Sequence, residues 1–335
     1  MDKTLWNRIE AIRCRFPRTD TVRLVHSRLH LFAKMESTNP AGSAKDRAAY
    51  WILREAVRRG DITRGTTVVE SSSGNFALSL ALFCRWLGVR FVPVLDPNVN
   101  TSTEKTLRRV CDRLEKVENS DEGGGFLLTR LDRVSELLGE TDDAYWPDQY
   151  SNLDGAQGHY ELTGRELMES LGRLDYLFVG VGTGATIAGL SRRVKESCPH
   201  AAVVAVDVEG SAIFGAAPRR RLIPGIGSSI RPPLIDQAVI EDVVTVSEWE
   251  EANGCRALLR DHDIYCGGST GGVYAAINRY FESSRGSPPV VAFLCADGGE
   301  PYKSTIYNRR WVAANLTPAG ARSSASTAGL SRPSR

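Results

Sequence analysis

Only seven lysines occur in the 335-residue chain, at positions 3, 34, 45, 105, 116, 195 and 303, so the search for an imine-forming amine is short. Lys45 lies in Asn39-Pro40-Ala41-Gly42-Ser43-Ala44-Lys45-Asp46-Arg47, where a Gly- and Pro-rich turn runs into a helical pattern and sets the ammonium near the positive end of a helix dipole. That setting lowers a lysine pKa, which favours the free amine needed for imine formation and proton abstraction. An exposed first-turn lysine would read the same way from this nonapeptide alone. Three further strand-to-helix loops offer anion and hydroxyl chemistry. Val69-Glu70-Ser71-Ser72-Ser73-Gly74-Asn75 puts three hydroxyls, a glycine and an amide where backbone N–H groups bind an anion, although a plain N-cap would use one serine only. Val179-Gly180-Val181-Gly182-Thr183-Gly184-Ala185-Thr186-Ile187 has small residues that let the backbone close round a phosphate. It lacks the Lys-Ser/Thr of a mononucleotide P-loop and the third glycine of the dinucleotide fingerprint. Cys266-Gly267-Gly268-Ser269-Thr270-Gly271-Gly272 carries hydroxyls that either reach a ring nitrogen or cap the helix that follows. A lone lysine, two anion loops and a hydroxyl loop together meet the needs of an aldehyde cofactor that bears a phosphate.

The elements that must position these loops follow from periodicity. Between about residues 46 and 210, helix-period segments alternate with short β-branched runs bounded by Gly, Asp or Pro, the pattern of parallel α/β structure. The spacing predicts helices over Asp46–Arg59, Asn75–Leu87, Thr101–Leu114 and Phe126–Leu138, the last opened by a flexible Gly123-Gly124-Gly125, and strands over Thr66–Val69 and Val89–Leu95. The segment Asp142 to Tyr150 reads as a crossing between two lobes, because Pro147 and the paired acids stop a helix. A second series has strands over Tyr176–Val181, Ala202–Val206, Val243–Val246 and Val290–Leu294, with helices over Glu161–Leu171 and Trp249–Asp261. Leu316–Arg335, mostly Ser, Ala, Gly, Thr, Pro and Arg, is expected to be a disordered tail.

Composition narrows the function classes. With 42 Lys plus Arg against 40 Asp plus Glu and 42% hydrophobic residues, the chain is expected to be a soluble globular protein of about two domains, without the one-signed face that nucleic acid requires. No segment approaches the roughly 20 apolar residues of a membrane span, and Met1-Asp2-Lys3-Thr4 leads into charged residues, so the expected location is cytoplasmic. Seven cysteines without a C-x-x-C pair indicate neither a disulfide framework nor a thiolate zinc site. His26 and His30, although i and i+4, lead into a strand, and no metal site is expected.

In order and spacing, Asn39 to Arg47, Ser72-Ser73-Gly74-Asn75, Gly182-Thr183-Gly184-Ala185-Thr186 and Gly268-Ser269-Thr270-Gly271 resemble the motifs of fold-type II pyridoxal-phosphate enzymes of the cysteine synthase group. The resemblance implies an α/β fold of two lobes, similar to the tryptophan synthase β subunit, each an open, mostly parallel sheet covered by helices, with pyridoxal 5′-phosphate between them. Residues 1–38 plus 149–315 would form the larger, cofactor-binding lobe and residues 39–148 a smaller mobile lobe. By the same resemblance Lys45 is the catalytic residue and carries the cofactor imine. Asn75 would bond the ring 3′-oxygen, Gly182, Thr183, Gly184, Ala185 and Thr186 would cradle the phosphate, and Ser269 would face the pyridine nitrogen. Ser72, Ser73, Gly74 and Asn75 would hold the amino-acid carboxylate. A hydroxyl opposite the ring nitrogen suits β-replacement, in which a group leaves Cβ before a nucleophile adds. A homodimer is also implied.

Departures from the sulfide-using members bear on the nucleophile. Phe76 follows Asn75 where those enzymes have threonine, and Ala296-Asp297-Gly298-Gly299-Glu300 stands where they have a Ser-Gly pair. Gly124 to Arg130, Asp142 to Trp146 with Gln149-Tyr150, Gly210 to Gly215, and Gly267 to Gly271 are similar instead to the N-(2-amino-2-carboxyethyl)-L-glutamate synthases. Those join O-phospho-L-serine to L-glutamate on the way to 2,3-diaminopropionate for siderophores and peptide antibiotics. Such substrates bring several negative charges into one cleft, which makes Arg130, with the Tyr150 hydroxyl, the candidate substrate-binding pair. A surface salt bridge to Asp132 or Glu136 is the alternative for Arg130, and interlobe packing for Tyr150. Two rivals stand beside this reading: a cysteine synthase using O-acetylserine or O-phosphoserine with sulfide, and a non-catalytic binding or regulatory protein on the same scaffold.

Overall fold

Apolar β-branched runs supply the strands. The computed structural model describes residues 2–120 and 125–316. In chain order the strands are β1 (Thr21–Leu24), β2 (His30–Lys34), β3 (Thr67–Ser71), β4 (Arg90–Leu95), β5 (Glu115–Lys116), β6 (Ala144–Tyr145), β7 (Tyr176–Gly180), β8 (Ala202–Val208), β9 (Asp242–Val246) and β10 (Val290–Leu294). A six-stranded sheet has the order β1-β2-β10-β7-β8-β9, parallel except for the antiparallel β1–β2 edge pair. A four-stranded parallel sheet has the order β5-β4-β3-β6. All five residues of β3 are buried, as expected of a central parallel strand covered on both faces.

The helices are α1 (Lys3–Arg13), α2 (Lys45–Arg59), α3 (Asn75–Leu87), α4 (Thr101–Val110), α5 (Leu127–Glu140), α6 (Leu153–Gly158), α7 (Arg165–Leu171), α8 (Ala185–Ser197), α9 (Glu248–His262), α10 (Gly268–Tyr280) and α11 (Arg309–Asn315), and the π-helical turn His159–Gly164 joins α6 to α7. One face of the larger sheet packs on α9 and α10 through Phe178, Val206, Leu258, Ile277 and Phe293, and the other on α7 and α8 through Leu167, Leu177, Ile187 and Leu190. The smaller sheet is covered on one face by α2 and α3 and on the other by α5, through Val69, Val94, Val134 and Leu137.

Several sequence expectations shift. Residues 1–38 do not all go with the larger sheet: β1 and β2 pair within it, whereas α1 buries Leu5, Ile9 and Ile12 against α2 and α3. The helix expected over Thr101–Leu114 stops at Val110, because Cys111 turns to extended backbone and Glu115-Lys116 then add a short strand beside β4. The helical stretch expected from Glu161 begins earlier, at Leu153, and passes through the π-helical turn. Leu316, expected to start a tail, closes α11 by donating its N–H to the Val312 carbonyl, and the remainder of that tail lies outside the described residues, as do Gly123 and Gly124. Among the described residues no helix is long and apolar enough to cross a membrane.

A buried ion network ties elements of both sheets together. Arg47 of α2 bonds Glu36 (3.1 Å) and Glu166 of α7 (2.9 Å), and Lys34 of β2 bonds Glu166 (2.9 Å). The Thr19 hydroxyl donates to Glu36 (2.7 Å). All five side chains are buried.

Candidate active site

The glycine- and hydroxyl-rich loops leave the carboxyl ends of β3 and β7, and a third loop leaves β10, the end of an open α/β sheet where ligands bind. Lys45 is the first residue of α2, where Ala44 supplies no side-chain cap. Its Nζ lies 3.4 Å from Thr183 Oγ1, so two segments 138 residues apart meet at the amine. Lys45 makes no ion pair among the described residues, and burial pushes its pKa down, opposed by the charge of Asp297. The turn before it is pinned by Asp46, which accepts from Ala41 N (2.6 Å) and Ser79 Oγ (2.5 Å) and whose pKa burial raises to about 7.

The loop after β10 forms a wall beside the lysine turn. Ser43 and Cys266 make isolated β-bridges to Asp297 and Gly298, so this loop is stitched both to the lysine turn and to the start of α10. Asp297 Oδ2 accepts from Asn75 Nδ2 (2.8 Å) and from the Tyr302 hydroxyl (2.9 Å), while Oδ1 is buried with no hydrogen-bond partner. Thus the structure joins Asn75 to the lysine turn through an aspartate whose position in sequence gave no hint of this contact. Burial raises the Asp297 pKa, against the pull of Asn75, Tyr302 and Lys45.

The serine loop is already partly committed. Ser72 Oγ accepts from Ala77 N (3.2 Å) and so satisfies one of the free N–H groups in the first turn of α3. Ser73 Oγ donates to Asp96 (2.9 Å) and accepts from Arg130 Nη1 (3.0 Å). Arg130 pairs with Asp96 (3.0 Å), not with Asp132 or Glu136, and its Nε is buried without a partner. Gly74 and Asn75 complete the loop at the N-terminus of α3. Tyr150 stands nearby: burial raises its phenol pKa, while the charges of Arg130 and Arg221 lower it. Gln149, buried beside it, donates to the Ser71 carbonyl (2.9 Å) and fixes the crossing segment to the end of β3.

Across the cleft, Gly182 and Gly184 shape a close-fitting cradle at the start of α8. Gly184 has φ +92°, and a Cβ there would meet Leu234 and Ile235 at 3.1 to 3.2 Å; a Cβ on Gly182 would stand 3.3 Å from the Gly225 carbonyl. Ala185 is buried on the first turn of α8, and Thr186 Oγ1 lies 3.2 Å from His159 Nε2. Ser269, also buried, faces Gly225, so the Gly225 loop lies against both the cradle and the α10 loop. Sequence reading missed Asp96, Gln149, His159 and Asp297 as site residues. Each is a single polar residue whose partner is distant in the chain, and only the Gln149-Tyr150 and Asp297 segments carried any motif signal.

These residues fit pyridoxal 5′-phosphate: a lysine without an ion pair and with a lowered pKa faces a glycine cradle whose added Cβ atoms would crowd Leu234, Ile235 and the Gly225 carbonyl, and an orphaned carboxylate oxygen stands beside the amide of Asn75. Residues 17–296 match the family described as pyridoxal-phosphate dependent enzyme, and the chain belongs to it. It is therefore a pyridoxal-phosphate dependent enzyme of substitution or group-transfer chemistry. A relative from Ralstonia nicotianae, named N-(2-amino-2-carboxyethyl)-L-glutamate synthase, is 41% identical over 285 residues, 84% of each chain. Among solved structures, the chain is similar to the O-acetylserine dependent cystathionine β-synthase of Helicobacter pylori, with 27% identity and a TM-score of 0.80 over 92% of this chain and 99% of that one. It is also similar to an O-ureido-L-serine synthase, with 26% identity and a TM-score of 0.79 over 95% and 98%.

Proposed function

We propose that the chain joins O-phospho-L-serine to L-glutamate, forming N-(2-amino-2-carboxyethyl)-L-glutamate and inorganic phosphate. The observation that carries this reading is Arg130 of α5, reaching Ser73 of the serine loop, with Nε unpartnered and Tyr150 near it, because an arginine fork is the side chain suited to a phosphate or a dicarboxylate. The name of the relative 41% identical to this chain supports it. Lys45 is the residue to which the cofactor attaches, with Asn75 and Ser269 toward the ring and Gly182 to Thr186 round the phosphate. When bound, the cofactor withdraws electrons from the amino-acid Cα, so that a proton is lost there and a group departs from Cβ. Lys45 Nζ, once the substrate amine takes its place, would take the Cα proton, and the burial that lowers its pKa favours the free amine that this role needs. Residues Ser72 to Asn75 hold the substrate carboxylate through backbone N–H groups at the start of α3. Arg130 and Tyr150 orient the anionic ends, and the glutamate amine adds at Cβ in place of phosphate.

The solved relatives named for O-acetylserine and O-ureido-L-serine fit a second reading as well, a cysteine synthase using O-acetylserine or O-phosphoserine with sulfide. Smaller-lobe closure over residues 39–148, a homodimer and a place in siderophore or antibiotic biosynthesis belong to the same proposal and rest on family resemblance, and a cytoplasmic location rests on the sequence pattern alone. The deciding experiment supplies O-phospho-L-serine with either L-glutamate or sulfide and reads phosphate release together with product mass. A glutamate adduct as the favoured product upholds the first reading, and cysteine moves the chain to the second.

A further inference from the structure

His159 belongs to no motif and touches the cradle from behind. It is fully buried on the π-helical turn, with Nε2 3.2 Å from Thr186 Oγ1 and Nδ1 3.0 Å from Thr163 Oγ1. The backbones press together here: a Cβ on Gly189 of α8 would stand 2.2 Å from the Ala156 carbonyl and 2.7 Å from His159 Cβ. Burial, and then the positive charges of Lys45 and Arg47, push the imidazole pKa down to about 3, so near neutral pH the ring carries a single proton. That proton sits on Nδ1 or on Nε2, and the neighbouring hydroxyls decide which. A phosphate dianion accepts hydrogen bonds and donates none, so the Thr186 hydroxyl hydrogen must point toward it. A lone pair on Nε2 would draw that hydrogen away from the cradle. Protonation at Nε2 leaves it free, and Thr163 then donates to Nδ1.

We infer that His159 is the positioning residue of the phosphate cradle: its Nε2–H donates to Thr186 Oγ1 and so turns the Thr186 hydroxyl into a fixed donor toward the cofactor phosphate. The inference rests on reading Gly182 to Thr186 as that cradle. His159 touches neither cofactor nor substrate and acts through Thr186 alone.

The test compares the affinities of the cofactor-stripped full-length chain for pyridoxal 5′-phosphate and for pyridoxal, which lacks the phosphate. His159→Phe is expected to weaken pyridoxal 5′-phosphate binding by at least about tenfold, the worth of a charge-assisted hydrogen bond, while leaving pyridoxal binding nearly unchanged. His159→Gln, whose amide donates from the place of Nε2, is expected to keep most of the preference for the phosphate form. Thr163→Val, which removes the donor to Nδ1 without touching the cradle, is expected to reduce that preference, and serves should His159→Phe fail to fold. The imidazole nitrogen chemical shifts of the wild type should report the Nε2-protonated tautomer. Equal losses for both ligands, an unchanged preference in His159→Phe or, should that variant not fold, in Thr163→Val, or an Nδ1-protonated ring would each overturn the inference. A wild type that binds both ligands equally would instead refute the cradle reading, and the inference with it.

Discussion

At the scale of single residues, two buried carboxyls have opposite uses. Asp297 lies beside Lys45, where a carboxylate charge opposes the burial that lowers the lysine pKa, and both hydrogen bonds to its Oδ2 come from neutral donors. Asp297→Asn preserves the shape and an acceptor for Asn75 but deletes a charge that favours the protonated form of the Lys45 nitrogen, free or cofactor-bound. In an absorbance titration of the cofactor-loaded protein, the visible transition is expected to move to lower pH by about one unit. A midpoint that stays put would mean that Asp297 serves packing only. Glu70 lies farther back, fully buried, and burial, assisted by Asp148 and only partly opposed by Trp146 and the backbone N–H groups of Gln149 and Ser71, pushes its pKa to about 8 from 4.5. Between those values the folded chain keeps a proton that the unfolded chain has released. Stability therefore falls as pH rises through that window and levels off above it. Urea unfolding at about pH 5 and about pH 9 should show the Glu70→Gln variant losing less stability than the wild type across the interval. Equal losses would remove Glu70 as the source.

Elements show how closely the cradle depends on its support. Gly189→Ala forces a methyl group into the Ala156 carbonyl and the Tyr160 N–H at 2.2 and 2.7 Å, where backbone rather than a yielding side chain opposes it. The variant is expected to lose about 3 kcal/mol in chemical denaturation. It should also bind cofactor less well, because α8 carries Thr186; full retention of both would show that α8 can shift freely. This part of the fold was hard to read from sequence. Gly155 and Gly158 weaken any helical signal, yet contacts with Ala48, Ile52, Trp51 and Ala185 hold α6 in place, so tertiary packing overrides propensity. By contrast, α3 was legible to the residue, Asn75 to Leu87, because Gly74 and Gly88 punctuate a strongly apolar run. Strand β3 runs two residues past the expected Val69, since Ser71 is buried in the ladder opposite Val94 and its hydroxyl does not mark a turn.

Across the whole molecule, the Arg47 network is where both sheets answer to one side chain. Arg47→Met leaves Glu36 and Glu166 buried with fewer partners and is expected to cost about 3–5 kcal/mol, measured by urea unfolding. Adding Glu36→Gln should return part of that loss; a double variant no more stable than the single would indicate that Arg47 acts through shape and not charge. The sequence showed Lys45, the three loops and the α/β alternation because each is written in consecutive residues. It did not show what closes them, since Arg47 meets Glu166, Asn75 meets Asp297 and Thr186 meets His159 only after the chain has folded.

Asn75 and Asp297 stand 222 residues apart, and the lysine turn is stitched to the same late loop. During synthesis, Lys45 emerges early and waits without its wall until the strand before Asp297 has left the ribosome and threaded between β2 and β7. The pocket that could hold a cofactor is thus complete only once β10 is in place, so its closure is tied to a strand made about 250 residues after the amine it encloses.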